Sequence, residues 1–367
     1  MLGFRRPDLM FRTMKLHRVP RKCLSLQASA SLATDADDVL IKSVDNKRIV
    51  TMNRPSALNS LNLSMIRKLN LNLTVKFKFN ALFKVRNDVN QVEEILKHGY
   101  KFDHLISTLP IPCVSLMNGI VMGQGAALAM HGRYQVATEN TVLAMPETAI
   151  GLYPDDGGCY FLARLRDNLG MFLGLTGHRL TGVDVYKAGL ASHYVHSVKL
   201  PDLEKELVSA NVRNRNSLAV KVVLDKFHAS CKSSIAFSLE PQLPKIRAIF
   251  SAQSVEEIFD RLRQDGSDWS LQQLSILETM SPTALKVTHR HLRECETINL
   301  EKCLEQEYNI SLRCINAHDF AQGIYAALID KDKKPMWTPS SLENVTPELL
   351  QTYFYEPPAS EKITLSK

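Results

Sequence analysis

Residues 111–132, IPCVSLMNGIVMGQGAALAMHG, are the stretch that decides the predicted fold. A short apolar strand at 113–117 is followed by an Asn-Gly turn, and a Gly-Gln-Gly turn at 123–125 leads directly into a helix of small residues. Two more short strands follow before Pro146. Repeated β–β–α units of this kind predict an α/β fold in which helices pack on sheets.

The N-terminal flank of this stretch contains further elements. Residues 39–55 predict two strands around an Asp-Asn turn. The spacing of Leu, Met and Ile predicts a helix over 57–73. A second, short helix over 87–99 is expected to end at Gly99, because glycine is a common helix C-cap.

The C-terminal flank divides into two parts. The pattern weakens over 201–250, which we interpret as a segment connecting a core at 35–200 with a helical region at 251–367. Three helix starts in this last region carry capping signals: a capping box from Ser254 to Glu257, and the pairs Ser281-Pro282 and Thr346-Pro347.

The Gly123-Gln124-Gly125 turn predicts a site for an anionic oxygen. A glycine-rich turn between a strand and a helix leaves backbone N–H groups free at the positive end of the helix. The oxygen can belong to a phosphate or to an oxyanion developing on a carbonyl. Leu128 occupies the third glycine position of the dinucleotide fingerprint, which is therefore incomplete.

Two carboxylates follow in MPETAIGLYPDDGG, residues 145–158. Glu147 comes directly after Pro146 at a strand end, and the glycines of this stretch allow the backbone to bring Asp155 back toward it. Such a pair beside an oxyanion site can share general acid/base catalysis. Pro-Asp-Asp-Gly is also ordinary turn chemistry, so a solvated loop is the alternative for Asp155.

Charge and cysteine content restrict the class of protein. Of the net charge of +7, residues 1–34 carry +6, from seven Lys or Arg and one Asp. This segment is rich in Arg and Ser and is typical of a mitochondrial transit peptide; a disordered basic tail is the alternative. The seven cysteines form no CxxC pair, which indicates free thiols in a reducing compartment. No metal site is predicted, and His289 and His291, near Cys295, are interpreted as surface or helix-face histidines.

Two motifs, NGIVMGQGAALAMHG and VLAMPETAIGLYPDDGGCYFLARL, resemble the crotonase (enoyl-CoA hydratase/isomerase) superfamily. Within it, the likeness is to the branch of mitochondrial hydrolases that act on 3-hydroxyisobutyryl-CoA in valine breakdown. That branch has a C-terminal extension containing MSPTALKVT, HDF and LIDKDKKPMW, and all three motifs are present here. The resemblance runs from about residue 39 to residue 354.

The resemblance implies roles for individual residues. Glu147 is expected to be the main catalytic carboxylate and Asp155 its partner, with the backbone N–H of Gln124 in the oxyanion hole. The implied reaction is hydrolysis of an acyl-CoA thioester in the mitochondrial matrix. It needs no cofactor beyond the CoA of the substrate, and it implies no nucleic-acid or membrane partner and at most weak self-association. Ala127 stands where a hydratase would carry a second catalytic Glu, which disfavours hydration.

One family segment is missing from the sequence. A strand and a loop of the type Gly-x-x-Phe-Cys-Ala-Gly-x-Asp, which supply the first oxyanion N–H, are expected after about residue 73 and are not found. Gln124, Asp156, Gln322 and Tyr325 also depart from the family pattern. The alternative function is therefore a catalytically impaired paralogue or truncated isoform that serves as a structural subunit of a mitochondrial assembly such as the ribosome.

Overall fold

A computed structural model of the chain describes residues 39–44, 47–53, 89–212, 218–230, 236–330, 334–358 and 362–365. The transit-peptide segment, the Asp-Asn turn, the helix expected over 57–73 and the place of the missing loop lie outside these ranges. Two antiparallel strands, β1 (Val39–Val44) and β2 (Lys47–Met52), form the expected hairpin with Val39 opposite Met52.

Two three-stranded sheets form the core of the α/β part. The first contains β3 (Val114–Met117), β5 (Tyr134–Ala137) and β8 (His193–Tyr194), all parallel, in the order β3-β5-β8. The second contains β4 (Ile120–Met122), β6 (Val142–Ala144) and β7 (Leu180–Thr181), in which β4 and β6 are parallel and β7 is antiparallel.

Strands β3 to β6 alternate between the two sheets, so the chain turns sharply at each crossing. Gly119 makes the first of these turns with φ at 135°, a conformation that favours glycine. The α/β prediction with repeated β–β–α units is confirmed, and the structure is mostly helical beyond the sheets.

Fourteen α-helices lie in the described residues. They are α1 (Val89–Thr108), α2 (Gln124–Met130), α3 (Gly158–Leu162), α4 (Leu169–Thr176), α5 (Val183–Lys187), α6 (Leu200–Ser209), α7 (Leu218–Ala229), α8 (Leu243–Ile249), α9 (Val255–Asp265), α10 (Asp268–Leu277), α11 (Pro282–Cys295), α12 (Leu300–Asn316), α13 (His318–Ile324) and α14 (Pro347–Tyr353). Within the described part of the chain, no helix is both long and apolar enough to span a membrane.

One expectation about helices was wrong, and one segment contains more helix than its weak sequence pattern indicated. Helix α1 does not end at Gly99 but continues to Thr108, because Tyr100, Phe102 and Ile106 extend its buried face. Residues 201–250 are not merely a connection, since α6, α7 and α8 lie within or across that range. Two of these three helices, α6 and α8, have proline in their first turn, where proline is tolerated. Proline therefore marks helix starts in this segment.

The capping signals of the C-terminal region are confirmed. Ser254 accepts a hydrogen bond from the Glu257 N–H, and Ser281 and Thr346 cap α11 and α14 in the same way. In the reciprocal bond of the capping box, the Glu257 carboxylate accepts from the N–H of Gln253 rather than from that of Ser254. These caps fix the starts of helices that fold over the α/β part.

Helix α12 makes the link between the C-terminal helices and the rest of the core. The Tyr100 hydroxyl of α1 lies 2.8 Å from the Ser311 hydroxyl of α12, and the rings of Tyr100 and Tyr308 pack edge to face at 6.2 Å. The Tyr153 hydroxyl also lies 2.9 Å from that of Ser311. Because all four side chains are buried, these contacts hold α12 against the stretch that carries the acidic motif of residues 145–158.

Candidate active site

Glu147 is placed by the end of strand β6. Pro146 follows the strand, and Glu147 begins a 3-10 turn that runs to Ile150. The side chain is only 3% exposed, and its Oε2 atom has no hydrogen-bond partner among the described residues. An unpaired polar atom in a buried position costs stability, so this carboxyl is held in place by the fold rather than by a partner of its own.

The Gly123 turn lies directly against Glu147. A Cβ atom added to Gly123 would come within 2.8 Å of Glu147 Oε1, and Gly123 has φ at 52°, so both space and backbone conformation require glycine here. Helix α2 begins at the next residue, Gln124, which is two residues earlier than the sequence predicted. Because the first N–H groups of a helix lack intrahelical partners, those of Gln124 and Gly125 are available beside this carboxyl.

The acidic loop is buried rather than solvated. Asp155 and Asp156 are 2% and 1% exposed, and one carboxyl oxygen of each has no partner in the described residues. The Asp155 carbonyl accepts a hydrogen bond from the Gly158 N–H at 2.7 Å, and the Asp156 carbonyl lies 2.7 Å from His131 Nε2. The loop is therefore held largely by its backbone, which leaves one carboxyl oxygen of Asp155 and one of Asp156 without a partner in the described residues.

Burial raises the pKa of all three carboxyl groups. It raises the pKa of Glu147 to about 8, with a smaller contribution from the charge of Asp156. The pKa of Asp155 lies well above its usual range because of burial and then the charges of Asp156 and Glu147. Burial and the charge of Glu307 raise the pKa of Asp156 to about 7, against the lowering effect of a Gln124 hydrogen bond. Glu147 and Asp156 therefore exchange protons near neutral pH, as acid/base catalysts must.

Glu307 was missed by sequence reasoning, although it anchors the acidic loop. It comes from α12, and its Oε2 atom accepts a hydrogen bond from the Gly157 N–H at 2.6 Å. The Tyr153 hydroxyl donates to the Glu307 carbonyl at 2.9 Å. A signal existed, because Glu307 stands one helical turn after Leu304 and Cys303 on the apolar face of α12, where a charged residue is unusual.

Asp103 and His131 form a second layer behind the acidic loop, and neither was singled out from the sequence. His131 Nε2 lies 3.8 Å from Asp103 Oδ1, and both side chains are buried. Burial lowers the pKa of His131 to about 4, so the ring is neutral at physiological pH. A Cβ on Gly157 would come within 2.5 Å of the His131 ring, which fixes the path of the loop.

The structure thus brings Glu147 and the Gly123 turn together and sets the Asp155 loop close enough for their charges to interact. Their catalytic roles remain predictions. The interpretation of His291 as a surface histidine was wrong, since its side chain is wholly buried. The five described cysteines are free thiols, and all but Cys113 are buried, as their sequence surroundings indicated.

Comparison with known proteins places this arrangement among acyl-CoA enzymes. The family model described as enoyl-CoA hydratase/isomerase matches residues 79–354. The chain is 41% identical over 344 residues to 3-hydroxyisobutyryl-CoA hydrolase, mitochondrial, of Gallus gallus, covering 87% of this chain and 89% of that protein. Over 344 residues it is 40% identical to the Homo sapiens protein of the same name, with the same coverage.

Two solved structures share the fold over most of their length. A carnitinyl-CoA dehydratase from Mycobacterium thermoresistibile matches with a TM-score of 0.79 and 29% identity, covering 90% of this chain and 99% of that one. An enoyl-CoA hydratase from Rhodobacter sphaeroides matches with a TM-score of 0.77 and 28% identity, covering 89% and 99%. In sequence the chain is therefore similar to hydrolases, and in fold it is similar to a dehydratase and a hydratase.

The match to the Gallus gallus protein includes positions at which this chain has no residue. The match to the Gallus gallus protein runs over 344 positions but takes in 87% of the 367 residues of this chain, about 319. About 25 positions of that match therefore lack a residue of this chain.

Proposed function

This chain belongs to the enoyl-CoA hydratase/isomerase family, and from that membership we propose that it hydrolyses the thioester of 3-hydroxyisobutyryl-CoA to 3-hydroxyisobutyrate and free CoA. Relatives about 40% identical over most of the chain carry that hydrolase name. This reaction is a step of valine breakdown. The observation that carries the proposal is a buried carboxyl oxygen without a partner on Glu147, next to the glycine turn at Gly123, together with another on Asp155.

In the proposed mechanism the thioester carbonyl oxygen accepts a hydrogen bond from the N–H of Gln124. Negative charge that develops on this oxygen is stabilised by that N–H and by the positive end of α2, while Gly123 and Gly125 let the substrate approach the backbone. Burial excludes water from the carboxyl groups, so each electrostatic contact with the reacting atoms is stronger than in solvent.

Two routes are open for the bond-forming step. In one, ionised Glu147 takes a proton from water while the water oxygen attacks the carbonyl carbon. In the other, Glu147 attacks the carbon directly, and water directed by Asp155 cleaves the resulting anhydride. In both routes the carbon–sulfur bond breaks, the thiolate of CoA leaves, and a proton that came from water ends on its sulfur.

The substrate brings its own CoA, and the proposed chemistry uses only protein groups. We propose the mitochondrial matrix as the place of action, since the hydrolase relatives are named as mitochondrial. We also propose that the chain is a monomer or a weak homo-oligomer. A purely structural role is less well supported, because a scaffold gains nothing from buried carboxyl groups that have no partners.

The test is release of free CoA from 3-hydroxyisobutyryl-CoA by the purified chain, beside Glu147→Gln and Asp155→Asn variants. Loss of the catalytic carboxyl should lower kcat by about 10²–10⁴-fold. Crotonyl-CoA should not be hydrated at a significant rate, since Ala127 replaces the second carboxylate. Equal CoA release by wild type and by Glu147→Gln would refute the assignment.

A second variant addresses the missing oxyanion donor. Grafting the segment of about 25 residues from the Gallus gallus relative after residue 73 should raise kcat by about 10²–10³-fold if that donor is lost here. No gain, with an active parent chain, would mean that another backbone amide replaces it.

A further inference from the structure

Helices α11 and α12 bring together, close to the turn that joins them, a cluster of side chains that the proposed reaction does not use. His291 and Cys295 are four residues apart at the end of α11, and Cys303 and Glu307 are four residues apart at the start of α12. Residues four apart share a helix face, so each helix directs two potential metal ligands toward the other. All four side chains are fully buried.

Most distances among these atoms are close to those of a tetrahedral metal site, but the two sulfurs lie about 0.7 Å closer together than a tetrahedral zinc ion requires, so they must move apart when the ion binds. Cys295 Sγ lies 3.1 Å from Cys303 Sγ, and the two sulfurs lie 3.5 and 3.8 Å from His291 Nε2. Glu307 Oε1 lies 3.4 Å from Cys303 Sγ and 3.5 Å from His291 Nε2. A tetrahedral zinc ion with ordinary bond lengths requires edges of about 3.8 Å between sulfurs and about 3.4–3.6 Å for the mixed pairs.

We propose that His291, Cys295, Cys303 and Glu307 bind one zinc ion or another thiophilic divalent cation. Two thiolates and an imidazole in tetrahedral geometry favour zinc over the hard cations, which prefer oxygen ligands. Because the four ligands are buried and close the coordination sphere, the ion is structural and takes no part in the chemistry at Glu147.

The site is connected to the acidic loop through one carboxylate. Glu307 offers Oε1 to the ion and accepts the Gly157 N–H on Oε2 at 2.6 Å. The ion therefore fixes the orientation of the group that holds the loop of Asp155 and Asp156. Cys159 of α3 also lies near, with its sulfur within 4.8 Å of the ligating atoms of His291 and Glu307, and it forms one wall of the site.

The experiment measures zinc in the full chain, purified under reducing conditions without chelators. We expect about one zinc ion per chain in the wild type and at least about a tenfold lower content in Cys303→Ala and in Cys295→Ala. Cys314→Ala is the matched control, because Cys314 is also buried on α12 but lies far along the helix from the cluster, and it should retain its zinc.

A second measurement uses the wild-type chain, so it does not require any variant to fold. Wild-type chain stripped of zinc and loaded with Co²⁺ should show thiolate-to-cobalt charge-transfer bands and the strong visible absorption of a tetrahedral complex. A folded wild type with neither zinc nor these bands would overturn the proposal, as would equal zinc in Cys303→Ala. A Cys295–Cys303 disulfide found by mass spectrometry in the folded chain would also overturn it. None of these readouts uses CoA release, so they test the zinc site independently of the hydrolase activity.

Discussion

Replacing Glu147 by Gln should stabilise the protein while it abolishes hydrolysis, and the gain should depend on pH. Burial raises the pKa of this carboxyl from 4.5 to about 8. Between these two values the folded chain binds a proton that the unfolded chain has lost, so wild-type stability falls as pH rises through this window. Gln mimics the neutral carboxyl and is free of this penalty.

The size of the effect follows from the two pKa values. Keeping Glu147 protonated in the folded state costs less than about 1 kcal/mol near pH 5 and about 3 kcal/mol near pH 7. The free energy of unfolding of Glu147→Gln should therefore gain about 2–3 kcal/mol on that of the wild type over this range. Asp155 and Asp156 titrate in both proteins, so most of their contribution cancels in the difference.

The assay is urea unfolding followed by circular dichroism, at several pH values from about 5 to about 7. Glu278→Gln, a change of the same kind at an exposed position just after α10, is the control and should show a difference that does not vary with pH, because the cation nearest to it, Arg263, does not titrate in this range. A stability difference between wild type and Glu147→Gln that stays constant, or that grows toward pH 5, would refute the reasoning from burial.

Three further predictions concern the same site. The kcat/KM for CoA release should rise about tenfold between pH 7 and pH 9, because both proposed routes use ionised Glu147 and its pKa is about 8; a flat profile would exclude this carboxyl as the base or nucleophile. Gly123→Ala should lose about 1–2 kcal/mol of stability and most of the activity, because Gly123 has a positive φ and its added Cβ would contact Glu147. Gly125→Ala is the control: its Cβ would meet nothing within 4 Å, so this variant should lose no stability in the same unfolding assay. Gly323→Ala should cost about 1–3 kcal/mol and lower kcat, since its Cβ would come within 2.4 Å of the Ile150 backbone in the turn that begins at Glu147; wild-type thermal stability would contradict the close packing of these segments.

The sequence predicted those parts of the fold that depend on local signals. The β1–β2 hairpin, the strands around the Gly123 turn and the capped helix starts at Ser254 and Ser281 all formed where short-range patterns placed them. Each of these features is determined by a few adjacent residues, through alternation, turn chemistry or capping. Glu147 and Gly123 were also found in this way, because each lies at a strand end.

Features that depend on distant packing could not be predicted in the same way. Gly99 is an ordinary helix stop in isolation, but the buried residues beyond it keep α1 helical to Thr108. Whether Asp155 was solvated depended on residues from α12, more than a hundred positions away. The convergence of His291 and Cys303 likewise required knowing how α11 and α12 meet.

The hydrogen bond from Gly157 to Glu307 spans 150 residues of chain. After a ribosome has added the acidic motif of residues 145–158, it must still add the 150 residues up to Glu307 before that hydrogen bond can form. At ordinary rates of synthesis this takes about 8–30 seconds. A transcript that stopped after α11 would encode every residue predicted for catalysis and yet leave the loop of Asp155 without its anchor. For this chain, an intact motif in a shortened gene product is therefore poor evidence of an intact enzyme.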